Sequence, residues 1–148
     1  MIEIVPARFT HIGPIASRMR DIDCLECRTM GHTPKGALRS GLAQATCAWT
    51  AMIDGKPEAM FGASTISLID GHGRPWMLMT DEAVKQRVAL IRLGRIYTAA
   101  MHRHYVLLHN WVHADNSVAI RWLARLGFGI GGVEVMNGQP MRPFIRHV

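Results

Sequence analysis

The stretch Asn116-Ser117-Val118-Ala119-Ile120-Arg121-Trp122-Leu123-Ala124-Arg125-Leu126-Gly127-Phe128 decides the fold. Asp115 or Asn116 offers a short side chain able to accept from the free N–H groups that open a helix. Ala119, Trp122, Leu123 and Leu126 then fall on one face at helical spacing. Gly127 stands where a helix closing in left-handed geometry favours a residue without Cβ. Before this helix, Val106 to Val112 is a compact apolar run that reads as a strand. After it, Phe128 to Met136 and Pro140 to Val148 read as a hairpin around Asn137-Gly138, a dipeptide suited to a tight turn.

Further toward the N-terminus, Ala89, Leu93, Ile96, Tyr97 and Ala100 recur with the period of a helix over Val84 to His104. It lies between that strand and another, Trp76 to Met79. Strand, helix and strand in this order imply a right-handed crossover, so the fourth and fifth strands should be parallel neighbours. Asp54-Gly55 predicts a tight hairpin between Ala48–Ile53 and Glu58–Ser64, the latter continuing to Leu68, with a turn at Asp70-Gly71-His72-Gly73. Ile2, Ile4 and Val5 form a first strand ending at Pro6. Thr10 then caps a helix with Phe9, Ile12, Ala16 and Met19 on one stripe. Asp21 to Met30 is helical up to Gly31-His32-Thr33-Pro34, and Thr33 caps a helix over Pro34 to Ala45. The expectation is one α/β domain over residues 1–148, a mixed, mostly antiparallel sheet of about seven strands with about four helices covering both faces.

Composition agrees with a folded globular chain: 148 residues, 49% hydrophobic and 19% charged, without repeats or low-complexity tracts. No apolar run is long enough for a membrane-spanning helix, and Met1-Ile2-Glu3-Ile4 has no secretory character. Three cysteines suggest reduced thiols in a cytoplasmic setting. A net charge of +6 favours acidic partners at long range, but the arginines are scattered, so no nucleic-acid-binding arm is indicated.

The segment from Asn116 to Phe128 resembles the C-terminal signature of the GNAT (acyl-CoA N-acyltransferase) superfamily, in which an Asn opens a helix that Leu-Gly-Phe closes. The element order ahead of it is that superfamily's order. More narrowly, Met19 to Glu26, Asp54-Gly55-Lys56-Pro57 with Phe61-Gly62, Pro75-Trp76-Met77-Leu78 and Ile120-Arg121-Trp122-Leu123 resemble a tailed-phage GNAT-like group labelled internal virion protein or acetyltransferase-like. The broader resemblance implies transfer of acetyl from acetyl-CoA, as co-substrate, to a primary amine on a small molecule or protein. It places Leu78, Met79, Thr80 and Asn116 at the cofactor. Backbone N–H groups at the start of the following helix, with Lys85, Arg87 and Arg92, would face the diphosphate. The narrower resemblance implies a catalytically inactive protein that binds a virion or host component, in the host cytoplasm or the particle.

Two positions depart from the superfamily's pattern. The segment from Val84 to Ile91 carries no glycine where a backbone cradle for phosphate normally has several, leaving Lys85, Arg87 and Arg92 either as a side-chain substitute or as a solvated helix face. Leu123 stands seven residues after Asn116, where many members have a proton-donating Tyr; Tyr97 and Tyr105 are the remaining phenols. For the base, Asp23 and Glu26 lie three apart on one helical face; the competing reading is a pair of solvated carboxylates beside Arg20 or Arg28. Cys24-x-x-Cys27, with His32 and Cys47, lacks the second pair a zinc site needs, so no metal is expected. His109 and His113 sit on or beside the fifth strand. Trp49, Trp76, Trp111 and Trp122 read as core aromatics, with Trp76 also placed to wall an acceptor site.

Overall fold

The Asp54-Gly55 turn sets the register of half the sheet. Both residues take positive φ, 49° and 80°, the geometry that matches the twist of a two-residue hairpin. β2 (Ala45–Ile53) and β3 (Lys56–Ser67) therefore pair antiparallel from Ile53↔Lys56 outward. β1 (Ile2–Pro6) adds to β2, and β4 (His72–Met79) to β3, both antiparallel. The computed structural model describes residues 1–148. Beyond β4 come β5 (Leu107–His113) and β8 (Gln139–His147), with the short β6 (Gly129–Ile130) and β7 (Glu134–Met136) both on β8. The order is β1-β2-β3-β4-β5-β8-β6. The strands number eight because the first arm of the last hairpin is split at Gly131-Gly132, where the Gly131 N–H turns to the Pro143 carbonyl.

Six α-helices cover the sheet, more than the sequence pattern implies: α1 (Ile12–Ser17), α2 (Asp21–Thr29), α3 (Pro34–Gln44), α4 (Asp81–Val84), α5 (Arg87–Met101) and α6 (Ser117–Arg125). The helix predicted over Val84 to His104 is α5, which begins only at Arg87, and α4 is an additional turn ahead of it. Thr80 accepts from the Ala83 N–H and caps α4, a single turn that stops at Lys85-Gln86 before α5 begins. At the other end of the chain, Phe9 belongs to a 3-10 turn and is 60% exposed, off the stripe expected of it, while Ile12 and Met19 are buried. Thr33 and Asn116 cap α3 and α6 as their positions predict, and Gly127 ends α6 with φ 89°.

The two faces carry separate cores. Ile12, Ile15, Met19, Leu38 and Met60 pack α1, α2 and α3 on one side. Phe61, Leu108, Phe128 and Phe144 form a cluster on the other, with Met79, Leu90 and Trp122 in an adjoining one beneath α5 and α6. Between these layers β4 and β5 run parallel, as the crossover requires, but pair only at His72↔Leu107 and Gly73↔Leu108. The join is locked by Tyr105, whose ring occupies the space of a Gly73 side chain; a Cβ there would lie 2.3 Å from it. The Tyr105 hydroxyl is tied to Thr46 and Thr65 at 2.6 and 2.8 Å. From Gly73 onward the two strands diverge.

Candidate active site

The divergence leaves a wedge whose walls are unpaired strand edges. Strand parity sets which peptide groups face it: Thr80 donates its N–H to the Glu58 carbonyl, so Leu78 and Thr80 hydrogen-bond toward β3 while Pro75, Met77 and Met79 turn toward β5. Asn110 of β5 donates its side-chain amide to the Pro75 carbonyl across the narrow end, at 2.8 Å. At the wide end α2 spans the gap. The Met79 carbonyl accepts from the Arg20 N–H, and the Met79 N–H donates to Asp23 Oδ2, both at 3.0 Å. On the opposite wall, the His113 N–H donates to Glu26 Oε2 at 2.7 Å. The three-residue spacing of Asp23 and Glu26 thus gives one carboxylate to each strand end. Along the β4 edge the Met77 groups remain directed into an unbridged part of the wedge.

A compact charge network joins these points. The Arg20 guanidinium donates to Asp23 Oδ1 at 2.7 Å and to Asn116 Oδ1 at 3.4 Å; the Asn116 amide donates to Glu26 at 3.3 Å. Arg20, Asp23 and Asn116 are buried, Asp23 to 1% exposure. Asp23 is thus paired with Arg20, as the competing reading has it, but inside the molecule and not in solvent, while Glu26 is half-buried. Burial raises the Asp23 carboxyl above its usual range against the opposing pull of Arg20. Burial likewise pushes Glu26 up to about 7, with the Asp23 charge adding to it, and the His113 N–H and Asn116 holding it down. Asp23 is committed to Arg20 and Met79. Glu26 keeps lone-pair capacity toward a cavity of about 440 Å³ that fills the wedge and opens onto both sheet faces.

The other residues singled out from sequence fall in three places. Leu78, Met79 and Asn116 line this cavity; Thr80 is buried beside it, donating to Glu58 and capping α4. Lys85, Arg87 and Arg92 lie together around a separate depression of about 340 Å³ at the start of α5, lined also by Gln86, Val88 and Ala89. No side chain caps α5 there, so its first N–H groups stay open to an anion, while Lys85 Nζ is paired with Glu82 at 2.7 Å. The remaining candidates have structural settings. Cys27 is a buried thiol pushed by burial up to about 12, and no group of side chains in the chain has the arrangement of a metal site. His113 is a buried imidazole that accepts at Nδ1 from the Asp115 N–H and meets Gln139 Oε1 at Nε2. Tyr97 packs against Trp49 and Phe61 and lines the cavity. Trp76 and Trp111 form walls on the α3 side.

Sequence reasoning did not find the Met77 peptide groups or the central role of Arg20. Parity counted from the Asp54-Gly55 hairpin carries the first. For Arg20 the pairing with Asp23 three residues on was readable, but its bond to Asn116, 96 positions away, had no signal.

No protein-family model matches the chain, and no curated protein does. Solved structures do. An acetyltransferase of the GNAT family from Bacillus anthracis superposes with a TM-score of 0.71 at 8% identity, covering 99% of this chain and 94% of its own. Ard1 from Thermoplasma volcanium gives 0.72 at 14%, covering 99% and 97%. The aminoglycoside acetyltransferase AAC(6')-Ib in complex with coenzyme A gives 0.69 at 15%, covering 99% and 95%. The fold is thus the GNAT fold over the full length of the chain.

Proposed function

We propose that the chain is an N-acetyltransferase that takes acetyl-CoA in the β4–β5 wedge and an amine from the α2–α3 side. The observation that carries the reading is the wedge itself, with the Met77 N–H and C=O directed into it and Glu26 facing the same cavity. Those peptide groups suit the amides of a pantetheine arm, and the uncapped start of α5 beside Arg87 and Arg92 suits its diphosphate. Leu78 and Met79 add apolar wall, and Asn116 fixes the far side. Bound acetyl-CoA supplies a thioester carbonyl open to attack.

Glu26 is the base. An ionisation near neutral lets it hold a cationic amine and take its first proton, which frees the lone pair that bonds to the acetyl carbon; the second proton passes from nitrogen to water as the amide forms. The C–S bond breaks in the same transfer, and the thiolate takes a proton from water, since Leu123 has none to give. Asp23 acts through others: it neutralises Arg20 and holds Met79, keeping the mouth of the wedge at fixed width. Thermal-shift titration with acetyl-CoA tests the reading. At a hundredfold excess over Kd the native state gains about 2.7 kcal/mol; an unmoved midpoint at millimolar acetyl-CoA rejects it.

A second reading has one observation in its favour. Arg20 and Asp23 already occupy both Met79 peptide groups, which suits a chain that keeps the fold without taking acetyl-CoA in the wedge. Failure to bind acetyl-CoA would favour it.

A further inference from the structure

The face of the sheet toward α2 and α3 carries opposite charges at its two ends. Because His72 pairs with Leu107 in parallel register, the even residues of β4 and the odd residues of β5 share that face: Arg74, Trp76 and Leu78 beside His109, Trp111 and His113. At one end, the Glu26 carboxylate is bound at the His113 N–H. At the other, Arg74 is exposed, lines the same cavity and joins none of the chain's ion pairs. His109, beside it, has its pKa lowered by burial and then by Arg74 and His72, which favours its neutral ring, so Arg74 is the unpaired cation at that end. Trp76 and Trp111 wall the space between. Leu78 is four residues from Arg74, and His113 four from His109, so both strands give a span of about 13 Å.

We infer that the amine accepted at Glu26 is the N-terminus of an extended peptide whose fourth residue is acidic and pairs with Arg74. The acceptor role rests on the transferase reading above; the groove and its polarity do not. An extended chain covers about 10 Å from its first residue to its fourth, the Glu and Arg74 side chains reach across the remaining ~3 Å, and its peptide groups lie over apolar aromatic walls. A polycationic amine fits poorly, because its second charge would meet Arg74.

Calorimetry on the full chain, with and without saturating CoA, tests this with Ala-Ala-Ala-Glu-amide against its Gln and Lys counterparts. The Glu peptide should bind on the order of fivefold tighter than the Gln peptide, the worth of one exposed ion pair, and the Lys peptide more weakly still. The Glu–Gln gap should shrink at high salt, vanish in Arg74→Gln and persist in Arg74→Lys. Moving the Glu to the second position should abolish it. Equal binding of the Glu and Gln peptides under both conditions overturns the inference, as does a preference that survives Arg74→Gln or the shift in position. Arg74 is exposed, so an unchanged melting midpoint certifies the variant. Acid-selective binding without acetyl-CoA binding leaves the groove assigned and sinks the transferase; acetyl-CoA binding without acid selectivity does the reverse.

Discussion

Replacing Glu26 by Gln should make the chain's stability less sensitive to pH, and the sign follows from the direction of the shift. In the unfolded chain Glu26 ionises near its ordinary value of 4.5; folded, it holds its proton to about 7. Below 4.5 both states are protonated and the group contributes no pH dependence. Between the two values the unfolded state sheds a proton that the folded state keeps, so folding becomes progressively less favourable, and above about pH 8 the full cost is present. A separation of that size corresponds to at most about 3 kcal/mol, an upper figure because Glu26 opens onto the cavity. A Gln at this position can still accept from the His113 N–H but carries no charge to bury. Urea unfolding of both proteins at pH 5, 6, 7 and 8 should therefore show the native protein losing stability relative to Glu26→Gln as pH rises, with most of the change between pH 5 and 7.5. A difference that stays flat across the range would mean that Glu26 is not held protonated, and the base assignment would go with it. In the transferase assay kcat/KM should climb with pH to a plateau with a midpoint near 7, and Glu26→Gln should lower it by about 10²–10⁴-fold and remove that midpoint.

Three further substitutions probe other parts of the structure. Arg20→Ala strips the buried Asp23 of its counter-charge and should cost about 3–5 kcal/mol by denaturant titration, against little for Arg28→Ala on the exposed side of α2. Arg87→Ala should weaken acetyl-CoA binding by about 1.5 kcal/mol, roughly tenfold in a titration, while Arg103→Ala, beyond the end of α5, leaves it unchanged; equal effects would reject a role for Arg87 at the diphosphate. Gly62→Ala should destabilise by about 1–3 kcal/mol, since the new Cβ would sit 2.3 Å from the Cys47 carbonyl on the paired strand. Gly94→Ala should be mild, because it meets only the tip of Leu126 at 3.1 Å.

What could be read in advance divides along the range of the interactions involved. Turns and caps are local, and Asp54-Gly55, Thr33, Asn116 and Gly127 each fixed an element boundary that the structure retains. The parallel pairing of β4 and β5 was legible because handedness leaves a crossover one choice. The break at Lys85-Gln86 was not, because a one-turn helix leaves no periodicity to read. The burial of Asp23 and Glu26 was equally hidden: a carboxylate pair three apart looks the same in sequence whether it faces water or a strand end. What separates the cases is the partner set, Met79, His113 and Asn116, which lies 56, 87 and 90 residues away.

That partner set also explains why opening a sheet here is tolerable. Unpaired strand edges inside a protein normally carry unsatisfied peptide groups, a cost of roughly 1–3 kcal/mol each. α2 removes it at the wide end, where Asp23, Glu26 and the Arg20 N–H take the places a neighbouring strand would have filled, and Asn110 serves the Pro75 carbonyl at the narrow end. The groups left facing the cavity are those of Met77, midway along β4. An edge satisfied on both sides of one residue and open at that residue is arranged for a ligand with its own amide. The buried Arg20 lets two carboxylates stand close together there without both being forced to stay protonated. Arg20 and Asp23 therefore brace the mouth of the wedge and, with Asn116, bear on the protonation of Glu26, so a change at Arg20 or Asn116 should move the pH profile of Glu26 as well as the stability of the fold.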